Sequence, residues 1–222
     1  MATDSILILP GLDGTDQMLG KFRGLCADAC QAEVLTLPSD ASLDYPGLAE
    51  HFAPIIQQHA GCHVIAESFS GPIGILLARK FPECVSRLSL VASFATSPVP
   101  RFAAFLPWSL LFRLPLPSMI AKQFFVGKTT TLIPALKSAI KQNSVAVLQQ
   151  RFKLVRTVNV LAELAEVDCQ LSYLRASNDR LVPRRCLGQI LQARPDTTVH
   201  EIEGPHLILE TRPDACWQQI AG

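Results

Sequence analysis

Short apolar runs punctuate the chain at 5–9, 33–37, 62–66, 87–92, 170–175 and 197–202. Most are continuous rather than alternating, as in strands buried on both faces of a sheet. Between them lie helix-like stretches at 16–29, 46–60, 69–80, 183–193 and 207–221. Thr15 or Asp16 is placed to cap the first of these, and Pro183 suits a first helical turn. Strand-like runs alternating with helical stretches predict an α/β protein with about six parallel strands and helices on both faces.

One stretch breaks the alternation. From 94 to 166 no strand-like run occurs, and Pro98, Pro100, Pro107, Pro115, Pro117 and Pro134 interrupt helix-like segments. This predicts a helical insertion at 94–166 inside a core formed by 1–93 and 167–222.

Composition supports a packed domain: 49% of residues are hydrophobic and 18% charged, which argues against a disordered or fibrous chain. The net charge of +1 gives no steer towards nucleic acid. Seven cysteines are scattered without a CxxC pair or zinc-like spacing, which reads as thiols in a reducing compartment. Cys26 and Cys30, four apart, are apolar fillers or a side-by-side pair. The start lacks signal-peptide features, and the apolar run 102–112 is broken by Pro107 and too short to span a bilayer. The expectation is a cytoplasmic protein without a transmembrane segment.

Candidate chemistry begins at Ile65-Ala66-Glu67-Ser68-Phe69-Ser70-Gly71, where a strand-like run turns into a helix. A serine on such a turn is exposed at the carboxyl edge of the sheet, provided the positions two before and two after it are small. Ala66 and Ser70 meet that condition for Ser68. Ser70 is the rival nucleophile, but its own second neighbour is Pro72. The bland alternative is a Ser/Gly-rich turn without chemistry.

A serine hydroxyl needs a base. Of five histidines, His51, His59, His63 and His200 fall in or beside helices and strands. His206 sits in Glu203-Gly204-Pro205-His206, after the last strand and at the same edge as Ser68. Asp179, after the fifth strand, is placed to orient that imidazole, although a loop aspartate is also a common turn cap. Asp196 precedes a strand and so belongs to the opposite edge. An oxyanion requires preorganised N–H donors. Phe69 follows the nucleophile, and Leu12 lies in Leu9-Pro10-Gly11-Leu12-Asp13-Gly14-Thr15 after the first strand. That loop lacks the G-x-G-x-x-G pattern and the Walker lysine, which disfavours a nucleotide site.

The order Ser…Asp…His with these loops resembles the α/β-hydrolase superfamily over nearly the whole chain. LPGLDGT, ESFSGP and GPHLILETRP resemble small bacterial members. LPGLDGT and ESFSG are also similar to plastid acyl-transfer enzymes that esterify phytol. The resemblance implies oxyanion donors at Leu12 and Phe69, a lid formed by the insertion, and no cofactor or metal. The superfamily's N-terminal strand pair is missing here, so six parallel strands are expected in place of eight mixed ones.

The insertion has its own charge. From 94 to 165 nine Lys and Arg residues face one acidic residue, Glu163, a net of +8. With +1 for the whole chain, the remainder is −7. Phe102, Phe105, Trp108 and Phe112 add an apolar stretch, suggesting an acyl-binding channel with a cationic rim. The expected activity is hydrolysis of a carboxylic ester of a small-molecule acyl substrate through an acyl-enzyme. The alternative is a thioesterase or acyltransferase on groups held by an acidic acyl-carrier protein or other anionic carrier. Pimeloyl-carrier methyl ester esterases are similar in plan. A further alternative is a non-catalytic binding protein on the same fold.

Overall fold

The computed structural model describes residues 5–100 and 114–221. Six strands form one sheet: β1 (Ser5–Leu9), β2 (Gln31–Val34), β3 (Cys62–Glu67), β4 (Val85–Val91), β5 (Gln170–Ala176) and β6 (Thr198–Ile202). They lie in the order β2-β1-β3-β4-β5-β6, and every pairing is parallel. The fold class expected from the hydrophobic runs is therefore the one observed.

Burial follows position in the sheet. Central β3 is buried at every residue, whereas edge strands β2 and β6 expose Gln31, Glu33, Thr198 and Glu201. Alternate residues of β1 serve opposite faces. Ile6 and Ile8 pack with Phe22 of α1 (Gly20–Ala27) and Cys216 and Ile220 of α9 (Pro213–Ala221). Leu7 and Leu9 belong to the other core, with Phe52 and Ile56 of α2 (Tyr45–Ile56), Ile75 and Leu77 of α3 (Gly71–Lys80) and Ile190 of α7 (Arg184–Ala193). Each such side chain, fully buried, contributes about 1.5–3 kcal/mol.

The strand order reverses once. From β1 the chain moves outward to β2, then returns to β3 on the other side of β1 and continues outward to β6. The loops leaving β1 and β3 therefore diverge, and a crevice opens at their carboxyl ends. Ser68 stands at that point.

The connection between β4 and β5 is helical where described: Ser118–Ile120 running into a π-helical turn Ala121–Val126, then α4 (Ile133–Lys141), α5 (Val145–Thr157) and α6 (Leu161–Ala165). Its two ends meet. Thr96 and Asn159 form an antiparallel bridge, Ser97 N–H donates to Val158, and Val160 N–H donates to Ala95. Among the described residues no helix is long and apolar enough to cross a membrane.

Several local expectations need correcting. The first helix begins at Gly20, not 16, because Thr15 turns its hydroxyl back to Asp13 and caps nothing (2.6 Å). The second strand is Gln31–Val34 rather than 33–37, since the chain leaves the ladder to bond the loop after β1 through Leu37 N–H and the Gly14 carbonyl. Pro183 precedes α7 as its cap in extended conformation rather than entering the first turn.

Candidate active site

Ser68 leaves β3 with φ +48°, a left-handed conformation rare outside glycine. The surroundings hold it there. Ser93 Oγ donates to the Ser68 carbonyl (2.6 Å). A Cβ on Gly71 would fall 1.8 Å from that same Ser93 oxygen, so only glycine lets α3 begin where it does. The result is a half-buried hydroxyl at the crevice.

Two sequence-distant groups meet it. Ser68 Oγ lies 2.8 Å from His206 Nε2, and His206 Nδ1 lies 2.8 Å from Asp179 Oδ2. Both the imidazole and the carboxylate are 4% exposed, so water hardly competes for either bond. Burial alone would raise the Asp179 carboxyl. His206 and the N–H groups of Val182 and Leu181 outweigh it and hold the carboxyl below its ordinary value. Those two N–H groups donate to Oδ1 at 2.9 and 2.8 Å, so the turn-cap role and the histidine contact coexist on one side chain. A serine hydroxyl bonded to an imidazole that is in turn bonded to a carboxylate can be deprotonated as it attacks.

The rivals are engaged elsewhere. Ser70 is fully buried and its hydroxyl donates to the Pro10 carbonyl. Asp196 pairs with Arg194 (2.6 Å) before β6, at the other edge of the sheet. His63 is buried in β3 and bonded to Ser89 Oγ (2.8 Å).

The loop after β1 is a tight turn in which Gly14 N–H donates to the Gly11 carbonyl (3.0 Å). In a trans peptide the N–H opposes the carbonyl, so the Leu12 N–H faces away from the turn's interior. Gly14 has φ +72°, and its missing Cβ would sit 2.6 Å from the Arg151 guanidinium.

No family model matches the chain, and no curated protein matches it in sequence. Solved structures do match in shape. An enol-lactonase from Burkholderia xenovorans LB400 superposes with a TM-score of 0.84 at 12% identity, over 100% of this chain and 91% of that one. A structure from work on carboxylesterases of Nitrososphaera gargenis gives 0.83 at 12%, over 99% and 89%. An alpha/beta hydrolase enzyme from a Medee basin deep-sea metagenome library gives 0.79 at 13%, over 99% and 88%. The chain has the α/β-hydrolase fold.

On this α/β-hydrolase frame several residues not anticipated from sequence reach the same crevice. Arg151 of α5 is 3% exposed. Its Nη1 donates to the carbonyls of Leu12 (2.8 Å) and Asp13 (2.9 Å), and its Nη2 to that of Pro38 (3.1 Å). Asn143 accepts from Arg151 (3.0 Å) and donates to Asp13 (2.6 Å). Burial lowers the guanidinium to about 10, so it stays charged at neutral pH. Arg151 therefore drops out of the cationic rim counted from sequence; its charge is turned inward. The signal was present: Arg151 sits on the buried stripe Val147, Leu148, Val155 of α5, where a charge needs partners. Phe125 lies edge-on to His206 with centroids 6.4 Å apart, and its carbonyl accepts from Leu207 N–H (3.1 Å).

Phe102, Phe105, Trp108 and Phe112, the expected channel residues, lie outside the described residues, as do Arg101 and Arg113. Among the described residues no cluster of His, Cys, Asp and Glu is arranged to hold a metal.

Proposed function

We propose that this chain is a serine hydrolase that cleaves carboxylic esters through an acyl-enzyme. The observation that carries the reading is the unbroken relay of 2.8 Å contacts from Ser68 through His206 to Asp179, set at the reversal of strand order. In this reading Ser68 Oγ attacks the ester carbonyl while His206 Nε2 takes its proton. The oxyanion settles against the N–H groups of Leu12 and Phe69. Collapse breaks the bond to the leaving alcohol, which takes the proton back from His206. Water, deprotonated by the same imidazole, then attacks the acyl-enzyme and releases the acid and Ser68. Asp179 fixes the tautomer that presents Nε2 as acceptor and stabilises the imidazolium as it forms.

The helical connection acts as the lid in this reading. Its support is contact at two places: Arg151 and Asn143 grip the loop that carries Leu12, and Phe125 backs His206. Lys122, Lys128 and Lys141 stand exposed on it. They favour an anionic acyl donor, such as a carrier-bound thioester, as the second reading.

Fluorophosphonate labelling tests the core of the proposal. The wild type should label at Ser68 and the Ser68→Ala variant should not. A series of p-nitrophenyl esters of increasing acyl length, with and without an added alcohol, then separates hydrolysis from acyl transfer. An unlabelled wild type would instead support a binding protein on this fold.

A further inference from the structure

Directly behind Ser68 lies a second group of acids that the relay does not use. Glu67 is the last residue of β3, 1% exposed, and it carries the nucleophile on its own peptide bond. Glu210 sits on α8 (Ile208–Thr211), four residues after His206. The two side chains are neighbours, each perturbing the other's carboxyl. One oxygen of each, Glu67 Oε1 and Glu210 Oε2, is buried where no N–H or O–H donor of the described residues reaches it. Two carboxyl groups can bond to each other only when a proton lies between them. Glu67 also lies against the loop after β1: a Cβ on Gly11, next to Leu12, would fall 3.6 Å from Glu67 Oε2. One carboxyl pair thus touches three elements: the strand bearing Ser68, the segment bearing His206 and the loop bearing Leu12.

We propose that Glu67 and Glu210 are positioning residues: a proton-sharing carboxyl clamp that keeps the nucleophile, the base and the oxyanion loop in register while it holds its proton. The clamp rests on the esterase reading for its effect on rate, but the shared proton stands on contact and burial alone. The groups facing the pair are Asp13 on the loop after β1, His206 on the turn before α8, and Cys216 on α9. Burial, with the mutual repulsion of the pair and Asp13 added, pushes Glu67 well above the ordinary carboxyl range; burial and Asp13 also raise Glu210. Burial therefore favours a proton held by the pair at a pH where an exposed carboxyl has lost its own. When the last proton leaves, two like charges occupy one dry site and repel, and the three elements lose their common tie.

The test follows Ser68 labelling by a fluorophosphonate across pH in the wild type and in the Glu67→Gln, Glu210→Gln and Glu67→Leu variants. The wild type should lose rate on the alkaline side as the clamp ionises. Glu67→Gln keeps a donor that cannot titrate, so that alkaline loss should vanish while labelling near neutral pH is largely retained. Glu67→Leu removes the tie and should lower the rate about 10- to 100-fold at every pH, as a displaced site does. An alkaline limb unchanged in Glu67→Gln, or Glu67→Leu and Glu67→Gln variants that label alike, would overturn the proposal. Infrared spectroscopy supplies a readout independent of activity. The wild type should show the carbonyl stretch of a protonated buried carboxyl at neutral pH, and the Glu67→Gln/Glu210→Gln double variant should lack it. Absence of that band in the wild type refutes the clamp even if the Glu67→Leu variant fails to fold. A wild type that shows the band but never labels would refute the esterase reading and leave the shared proton established.

Discussion

The carboxyl edge of the sheet and the helical connection between β4 and β5 meet at one crevice but contribute differently. The edge supplies the groups that react in the proposed mechanism. Ser68 follows β3, Asp179 follows β5 and His206 follows β6, each within a few residues of a strand end. The connection supplies restraint. Arg151 and Asn143 hold the loop after β1 and Phe125 lies edge-on to the His206 ring, none of them part of the Ser68–His206–Asp179 relay. In the proposed mechanism chemistry is thus placed by short-range decisions of the backbone, and its aim is refined by contacts more than 100 residues away in sequence. The two regions should fail differently when altered.

The largest effect is expected at the edge. In Asp179→Asn the amide oxygen can still accept from Leu181 and Val182, so the turn should persist. Its NH₂ would then face His206 Nδ1 and favour the tautomer whose Nε2 cannot accept from Ser68. The loss in kcat should be about 10⁴-fold with little change in thermal unfolding. A variant that hydrolyses esters within tenfold of wild type, about 1.4 kcal/mol, would remove Asp179 from the relay.

In the connection, rate and stability should fall together. Arg151→Met strands the carbonyls of Leu12, Asp13 and Pro38 and frees the loop that carries the Leu12 N–H. Loss of one aimed oxyanion donor lowers rate by about 10²-fold. Breaking the buried network should lower stability by about 3 kcal/mol in denaturant unfolding. Arg151→Lys should not restore either, because one ammonium cannot reproduce a fork that serves several carbonyls. Wild-type turnover in a destabilised Arg151→Met would show that the connection holds the fold without aiming the site.

The same division explains what the chain's pattern reveals. Continuous apolar runs announce buried parallel strands, and a residue just past such a run is fixed to one edge of the sheet, so Ser68, Asp179 and His206 could be brought together from spacing alone. Arg151 could be flagged as a charge on an apolar helical stripe, but not assigned to Leu12 and Asp13, because helix-to-loop contacts have no short-range signature. Glu67 ends a strand that is apolar from Val64 to Ala66, and its proposed partner Glu210 lies on a short helix far along the chain, with no short-range signal to join them. Element ends differ from the hydrophobic pattern where a side chain takes a local bond, as Thr15 takes Asp13 in place of a helix cap. The expected aromatic channel concerns residues outside those described.

The smallest expected effect compares a buried basic side chain of the sheet with the one on the connection. Arg151 keeps its charge because several oxygens surround it. His63, in β3, has one partner: Nε2 meets Ser89 Oγ, and Nδ1 is buried without any. Burial, helped by the neighbouring Arg87, lowers its pKa from 6.5 to about 3. The folded protein therefore refuses a proton that the unfolded chain takes up below 6.5, and this contribution to stability is lost as the pH falls. Between about pH 7 and pH 5 the loss is roughly 2 kcal/mol, at 1.36 kcal/mol per pH unit below 6.5. The raised Glu67 and Glu210 carboxyls act in the opposite sense, since the folded state holds protons that the unfolded chain releases above its carboxyl range. They would mask the slope in the wild type alone. The comparison that isolates it is His63→Leu against wild type, because the acids are common to both and Ser89 keeps Ser172 as a partner (2.7 Å). Denaturant unfolding at the two pH values should show the leucine variant gaining about 2 kcal/mol relative to wild type on acidification. Equal shifts in both proteins would mean that His63 accepts a proton inside the folded sheet, and that the sheet tolerates a buried charge as the connection does.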